Sequence, residues 1–272
     1  MSARLRDEAG FTIMELLMAM TIGLVVLAAA FAVVGQATKL TTTTQDRVDA
    51  TQRGRAGLEA MITELRSGVC AIPPADADPQ PPIIYGDDNR VQFYANLGDP
   101  NALPQRRELR YDAAGHRIFE DVFQGQRPAG DPTGVTGRVV LPITTAVSSK
   151  VVLENVYPRD AGAPIFTYYT YRLAPVAGSN PVSYQVTGDL ATDPVKLDPP
   201  IQDATTQRRV IQVRVAFRIR PESIKTTANH PLDAILAGAA FSRLADPLRA
   251  ADTAEPVLTA PTQYYGQPIS CQ

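Results

Sequence analysis

The chain has 272 residues, of which 44% are apolar and 20% charged, and its formal net charge is −2. A balance this close to neutral does not favour a polyanionic partner for the chain as a whole. The part that follows the N-terminal region is long enough to build one sizeable hydrophobic core.

The N-terminal region contains an apolar run from Phe11 to Val34. As a helix, this run would reach roughly 36 Å, enough to cross a hydrocarbon core of about 30 Å. Glu15 is its only ionisable side chain. Because a carboxylate near the centre of a membrane helix costs roughly 2.5–3.5 kcal/mol, we expect Glu15 to have a cationic partner. The nearest candidate is a new amino terminus, made by a cut between Gly10 and Phe11.

Two simpler interpretations of this run are open. A secretory signal peptide would be cut near residues 28–32, but its apolar core would be longer than the usual length of about 7–15 residues. An ordinary signal anchor would carry Glu15 as a tolerated exception. Arg4 and Arg6 precede the run and no matching excess of Lys and Arg follows it. The positive-inside rule therefore places the leader in the cytoplasm and the large domain outside.

This constellation resembles the type IV prepilin family. The matching features are a short charged leader (Met1–Gly10), Gly10 before the cut, Phe11 after it, and Glu15 as the fifth residue of the mature chain. The resemblance implies that a membrane peptidase cleaves after Gly10 and that Phe11 is then N-methylated. It also implies that Glu15 pairs with the N-terminal amine of a neighbouring subunit during filament assembly. Many members of the family carry a proline late in this helix, where this chain has Ala32.

Residues 36–70 are predicted to continue the helix into water. Their apolar side chains fall largely on one helical stripe, with charged residues on the other face. The stripe consists of Val48, Leu58, Met61, Ile62, Leu65 and Val69. The run Thr41–Thr44 contains poor helix formers, so the sequence predicts the weakest part of the helix there. Acidic residues among the basic ones favour a solvated face over a nucleic-acid-binding face.

A proline-rich linker from Ala71 to Pro82 is predicted to end the helix, because proline cannot continue it. Four aspartates lie around this linker: Asp76, Asp78, Asp87 and Asp88. Carboxylate oxygens suit calcium, but EF-hand spacing is missing, which favours a plain polar loop. No metal site is predicted.

From Arg90 onward, the pattern is one of short strands separated by turn residues. The predicted strands are Val91–Ala95, Glu108–Asp112, Arg117–Phe123, Arg138–Ile143, Lys150–Tyr157, Ile165–Leu173, Ser183–Thr187 and Val210–Arg220. Residues 112–115 are predicted to form a hairpin connection. Segments 124–137 and 188–206 are predicted to be loops, and 232–248 fits either a helix or a strand.

Two of these strands carry surfaces that could bind a partner. Phe166, Tyr168, Tyr169 and Tyr171 could form an adhesive patch, but a buried sheet face is the favoured interpretation. In Val210–Arg220, apolar residues alternate with polar ones, so one face is predicted to be buried. The other is predicted to be a basic ribbon of Arg214, Arg218 and Arg220 in water. This ribbon could contact DNA or another anionic surface, although an ordinary solvated face is favoured.

Cys70 and Cys271 are the two cysteines of the chain. An even count in an extracytoplasmic domain indicates one disulfide, which would tie the end of the helix to the end of the chain. The alternative is two free thiols. Bound cofactors and catalysis are not predicted, because His116 and His230 lie in turn-like contexts and no catalytic motif is present.

The predicted fold is α+β, with a long, partly transmembrane N-terminal helix packed on an antiparallel β-sheet domain, as in pilins. The predicted divisions are a leader (1–10), a transmembrane or filament-core helix (11–35), its amphipathic continuation (36–70) and an extracytoplasmic β-rich domain (71–272). The long strand-rich part is similar in general pattern to W-type minor pilins and to J-type minor pseudopilins of type II secretion.

That similarity implies a minor subunit that initiates a type IV pilus or secretion-like filament, or lies at its tip. The implied partners are other subunits, the prepilin peptidase, the inner-membrane assembly platform and membrane lipids. A pilus, a secretion pseudopilus and a competence apparatus all remain open. The alternative function is a single-pass, membrane-anchored extracytoplasmic binding domain that does not assemble into filaments.

Overall fold

The structure is a computed structural model. It describes residues 12–71, 80–96, 103–126, 129, 140–170, 172–175, 184–187, 194–224 and 230–241. The chain divides into two compact units, residues 1–48 and residues 49–272. The described helices are α1 (Ile13–Arg66) and α2 (Ala204–Arg209). The described strands are β1 (Ile83–Gly86), β2 (Arg90–Ala95), β3 (Gln105–Asp112), β4 (Arg117–Gln124), β5 (Thr145–Glu154), β6 (Val156–Tyr157), β7 (Phe166–Thr170), β8 (Arg172–Pro175), β9 (Tyr184–Thr187), β10 (Val195–Leu197), β11 (Gln212–Ile219) and β12 (Ala234–Phe241).

Helix α1 is continuous over 54 residues, as the sequence predicts. The run Thr41–Thr44 is helical throughout, and each of its hydroxyls donates to a backbone carbonyl three or four residues earlier. Such back-bonding lets threonine remain inside a helix, although it is a poor helix former in isolation.

In the second unit, the last five turns of α1 pack against the β-sheets. Leu58, Met61, Ile62 and Leu65 of the predicted stripe are buried, whereas Val48 at its start is 50% exposed. Gly54 lets the helix approach β11 and β12 closely, because a Cβ built there would lie 2.4 Å from Leu236 Cδ1. The stripe therefore marks the packed face of the helix from residue 58 onward.

The strands form two main antiparallel sheets. The first has the order β1-β2-β3-β4-β5, and the second has the order β10-β7-β11-β12, with β6 also paired to β11. Strands β8 and β9 form a separate hairpin. Fully buried side chains from both sheets and from α1 make one core: Met61, Val91, Phe93, Leu109, Ile118, Phe166, Tyr168, Val215 and Phe217. The α+β prediction is confirmed.

Several predicted strands need correction. Arg138–Ile143 is wrong over residues 140–143, which form no strand, and β5 begins at Thr145. Residues 138 and 139 lie outside the described residues. The prolyl nitrogen of Pro142 has no hydrogen to give to a sheet ladder. The predicted strand Lys150–Tyr157 is divided by Asn155, which has a left-handed φ of 57°. The predicted hairpin connection at residues 112–115 is confirmed by the turn between β3 and β4.

The segments 188–206 and 232–248 also contain structure that was predicted wrongly or left open. Part of 188–206 forms β10 and the start of α2, so the prediction of a loop is wrong there. Asp203 caps α2, because its carboxylate accepts a hydrogen bond of 2.9 Å from the Thr206 amide. The first part of 232–248 is the strand β12. Strand β1 and helix α2 were not predicted, because a four-residue strand and a six-residue helix carry little periodicity.

The four aspartates around the proline-rich linker are only partly described. Asp76 and Asp78 lie outside the described residues. Asp87 accepts hydrogen bonds from the Asn89 amide (2.8 Å) and the Tyr85 hydroxyl (3.0 Å), which is a turn-stabilising role. No group of three or more metal-ligating side chains occurs in the part of the chain that the structure describes.

Candidate functional site

Glu15 lies in the first turn of α1 and is hydrogen-bonded to Thr12. The Thr12 amide and hydroxyl each donate to Glu15 Oε2 at 3.1 Å. In return, the Glu15 amide donates to Thr12 Oγ1 at 3.3 Å. This reciprocal pattern is a capping box, in which a Thr and a Glu three residues later satisfy free amides at the start of a helix. The spacing of Thr12 and Glu15 is the sequence signal from which this box could have been predicted.

The capping box lowers the free-energy cost of holding the Glu15 carboxylate at the start of the helix. A negative charge at a helix N-terminus interacts favourably with the helix dipole. Glu15 therefore has local compensation in a single chain, although no cation lies beside it among the described residues. Gly10 and Phe11 lie outside those residues, so the cut and the methylation stay predictions.

Apart from Glu15 and Thr21, the surface of α1 from Ile13 to Val34 is apolar, and it is exposed on all sides. Ile13 is 81% exposed, Val25 69% and Phe31 68%. An 18-residue window of this helix is long and apolar enough to span a membrane, and none of it is buried. A soluble protein rarely leaves so large an apolar area in water, so this surface needs lipid or other helices around it.

Small residues are spread along the exposed helix. They are Ala19, Gly23, Ala28, Ala29, Ala30 and Ala32. Helices packed in a lipid or filament environment use such residues to bring their backbones close together. A Cβ built at Gly23 would meet no other atom within 4 Å. The described chain thus leaves this surface open to a partner helix.

Residues 5–31 match the family model for the prokaryotic N-terminal methylation motif. The match includes Gly10, Phe11 and Glu15 and most of the exposed apolar helix. It supports a type IV prepilin-like protein with a membrane anchor. Comparison with curated proteins gave no significant match.

The predicted basic ribbon on β11 is wrong for two of its three arginines. Arg218 is 7% exposed and Arg220 1% exposed, whereas Arg214 is exposed. Arg218 Nη1 and Arg220 Nη2 each lie 2.8 Å from Asp233 Oδ2. The Arg220 guanidinium also lies 4.1 Å from the ring centroid of Tyr157. This arrangement leaves no continuous cationic face on β11 for a polyanion.

Asp233 is held ionised by its two arginine partners. Burial alone would raise the pKa of its carboxyl group. Hydrogen bonds from Arg220 and from the His230 amide, together with the charges of both arginines, lower this pKa below the ordinary value. Because Asp233 directly precedes β12, the cluster fixes the start of β12 against the end of β11.

A second charge cluster, which was not predicted, lies where Glu64 of α1 meets the first sheet. Glu120 of β4 is fully buried and forms ion pairs with Arg107 of β3 and Lys150 of β5. Arg107 Nη1 and Lys150 Nζ each lie 3.8 Å from Glu64 Oε1. Burial, reinforced by the nearby Glu120 carboxylate, raises the pKa of Glu64 to about 7. No sequence spacing links these four residues, which come from four separate elements.

The remaining candidate residues have structural roles. Phe166 and Tyr168 are fully buried, which confirms the core interpretation for these two members of the aromatic patch. The Tyr168 hydroxyl donates to the Asp87 and Arg90 carbonyls at 3.0 and 2.9 Å. Its burial raises the pKa of this hydroxyl well above the ordinary value. Tyr171 lies outside the described residues.

The two histidines occupy turns, as the sequence indicates. His116 has a φ of 52°, and its ring stacks on Tyr157 with a centroid distance of 4.1 Å. His230 accepts a hydrogen bond at Nδ1 from the Leu232 amide. Cys70 is described and Cys271 is not, so the Cys70–Cys271 disulfide stays a prediction.

Proposed function

We propose that this chain is a minor pilin or pseudopilin, a low-copy subunit of a type IV pilus or a type II secretion-like filament. The observation that carries this proposal is the N-terminal methylation motif at residues 5–31, joined to an exposed apolar helix. Such a helix requires lipid before assembly and neighbouring helices afterwards. The role is structural rather than catalytic.

The proposed maturation begins with a cut between Gly10 and Phe11 by the prepilin peptidase. Phe11 becomes the new first residue and is N-methylated, and methylation keeps its amine cationic. The leader (1–10) is lost, the segment 11–35 spans the membrane, and the amphipathic part (36–70) leads into the extracytoplasmic domain (71–272). The Cys70–Cys271 disulfide would form in that oxidising compartment.

During assembly, the proposed partner of Glu15 is the methylated amine of a neighbouring subunit. A carboxylate has about four acceptor positions. The two hydrogen bonds from Thr12 therefore leave room for the cation. A helix packed out of register would leave both charges unpaired in an apolar surrounding, which is strongly unfavourable. Glu15 would thereby set the register of the filament core.

The finer assignment is to a W-type minor pilin or a J-type minor pseudopilin that initiates assembly or lies at the tip. Its support is the general sequence pattern of a long helix, a proline-rich linker and many strands, and the described domain is strand-rich. The assembly platform of the inner membrane would extract the subunit from the bilayer. The buried state of Arg218 and Arg220 gives no support to a DNA-binding tip.

Mass spectrometry of the protein from its native host tests the proposal. We expect a chain that begins with N-methylated Phe11 and co-purifies with a filament. The competing function, a membrane-anchored binding domain, predicts an uncleaved N-terminus at Met1 or Ser2. A protein that retains Arg4 and Arg6 and never accompanies a fibre would overturn the filament assignment.

A further inference from the structure

A cleft of about 490 Å³ lies beside the first residue of β2. Its described walls include the turn between β1 and β2 (residues 87–89), the strand residues Arg90 and Arg110, and residues 199–200, which are both prolines. Pockets that bind small molecules usually have volumes of about 300–1,000 Å³. The cleft therefore has a suitable size for a small molecule or for one unit of a larger one.

The turn that forms one wall of the cleft is fixed by hydrogen bonds. The Asp87 carboxylate accepts a hydrogen bond of 2.8 Å from the Asn89 amide. The buried Tyr168 of β7 donates to the Asp87 carbonyl at 3.0 Å, and the Asp88 carbonyl accepts a hydrogen bond of 2.8 Å from the Ile165 amide. Because the second sheet holds this turn in place, little conformational entropy is lost in ordering it around a ligand.

The two prolines form a second wall, which is attached to the end of β1. The Gly86 amide donates to the Ile201 carbonyl at 3.0 Å, and the Ile201 amide donates to the Gly86 carbonyl at 2.7 Å. Pro199 is half-buried and Pro200 is exposed. A proline ring is apolar and has no N–H to donate, so this wall offers an apolar surface to a molecule in the cleft.

Arg90 and Arg110 bring two guanidinium groups to the cleft. They are directly opposite partners in the pairing of β2 with β3, an arrangement of like charges that destabilises a sheet. The guanidiniums lie over the rings of Tyr85 and Phe119, at 4.4 and 5.0 Å from the ring centroids. The closest ion pair that each arginine forms is 3.5 Å long, which exceeds an ordinary hydrogen bond. Both arginines therefore keep N–H groups that can donate to a ligand.

Acceptor groups line the same cleft. Asp88 and Asn89 are exposed, and they supply carboxylate and amide oxygens. The described lining contains two aspartates and two arginines, so its formal charges cancel. Such a lining does not favour an ion of either sign. It suits a neutral molecule whose groups both donate and accept hydrogen bonds, as hydroxyl groups do.

We propose that this cleft binds a neutral saccharide. A sugar ring carries hydroxyl groups at its edge and C–H groups on its faces, which matches a polar lining beside an apolar wall. Its hydroxyl oxygens accept hydrogen bonds from Arg90 and Arg110, and a hydroxyl donates to the Asp88 carboxylate. The C–H face packs on the two prolines. The site is independent of the proposed filament function, because none of these residues belongs to α1 or to the matched motif.

Saturation-transfer NMR of the full chain in a polyoxyethylene detergent tests the saccharide site, with empty micelles as the blank. This detergent has no sugar head group that would compete. The probes are the methyl glycosides of glucose, galactose, mannose and N-acetylglucosamine, with glycylglycine as a zwitterionic probe. Asp88→Asn and Arg110→Gln alter the cleft. Asp160→Asn and Arg117→Gln are the matched controls, because both residues are exposed and neither is in the described lining.

We expect saturation transfer from the wild type to at least one glycoside. The Kd should rise at least about tenfold in each cleft variant, as loss of one hydrogen bond to a charged group implies, and stay unchanged in both controls. Unchanged urea unfolding midpoints establish that the variants fold.

Three results would overturn the saccharide site. The first is failure of all four glycosides to bind the wild type at millimolar concentration, which needs no variant. The second is glycoside binding that either cleft variant retains in full, since the sugar would then lie elsewhere. The third is binding of glycylglycine without binding of any glycoside, which would assign the cleft to a zwitterionic ligand.

Discussion

Replacing Glu64 with Gln should abolish a pH dependence of stability that originates in the contact between α1 and the first sheet. Glu64 has a side chain that is 12% exposed and shares the cations Arg107 and Lys150 with Glu120. Glutamine has the same shape as a protonated glutamate but cannot ionise. The variant therefore isolates the cost of charging this one carboxyl group in the folded state.

The sign follows from the pKa. In the unfolded chain Glu64 loses its proton near its ordinary pKa of 4.5, while in the folded chain its pKa is raised to about 7. Between these values the folded state binds more protons than the unfolded state, so the free energy of unfolding falls as the pH rises. Each pKa unit corresponds to about 1.36 kcal/mol. The Glu64 carboxyl group keeps some contact with solvent, which screens its interactions, so we expect a total loss of about 2–3 kcal/mol.

Urea unfolding of the full chain in detergent, at several values from pH 5 to pH 8, measures this effect. The chain has ten tyrosines and no tryptophan, so tyrosine fluorescence is a suitable signal. We expect Glu64→Gln to match the wild type at pH 5 and to be the more stable protein at pH 8. Glu59→Gln is the matched control, because Glu59 is exposed on the same helix.

Two results would refute this reasoning. Equal pH dependence in the wild type and in Glu64→Gln would show that Glu64 titrates alike in the folded and unfolded states. A Glu64→Gln protein that is less stable than the wild type at pH 8 would show that the ionised form is favoured by Arg107 and Lys150. The Glu59→Gln control removes the general effect of one lost negative charge.

Three further predictions concern processing, assembly and the buried arginines. Glu15→Gln keeps the capping hydrogen bonds and Glu15→Ala loses them. We expect both variants to insert into the membrane and both to be depleted in purified filaments. Normal incorporation of Glu15→Gln would show that the charge is not needed. Gly10→Leu should accumulate as uncleaved precursor on immunoblots, and normal processing would count against the cut site. Asp233→Asn removes the carboxylate from two buried arginines and should lower the free energy of unfolding by about 3–5 kcal/mol, while the exposed Asp160→Asn control should change it little.

The features that could be predicted from sequence are those with a local physical cause. The membrane-length run and Glu15 are read directly from residue type. The buried stripe from Leu58 to Leu65 follows from helical periodicity, and the alternating core face of β11 follows from strand periodicity. In each case residues that are close in sequence determine whether a side chain is buried, so the sequence pattern is enough to predict its burial.

The features that could not be predicted depend on partners distant in sequence. Alternation along β11 implied that Arg218 and Arg220 face water, but it does not reveal Asp233 and Tyr157, which bury them. Likewise, nothing near Glu64 indicates that Glu120 lies across from it in the first sheet. A charged side chain can be buried when an ionic partner compensates its charge. Periodicity therefore predicts the wrong burial for a charged residue whose partner lies on another element.

Glu15 combines an observed local contact with a proposed intermolecular one. Its isolation in an apolar run implied a cation from outside, whereas the structure shows that Thr12 already donates two hydrogen bonds to it. The capping hydrogen bonds come from neutral donors and do not neutralise the charge of Glu15. They lower the free-energy cost of Glu15 in the membrane, and the carboxylate can still attract a cation. If hydrogen bonds within the chain filled every acceptor position of Glu15, the carboxylate would gain less from pairing with a cation during assembly. If Glu15 accepted no hydrogen bond, its insertion into the membrane would cost more free energy. The Thr12 pairing lies between these extremes, as the proposed transfer of the subunit from the bilayer to a filament would require.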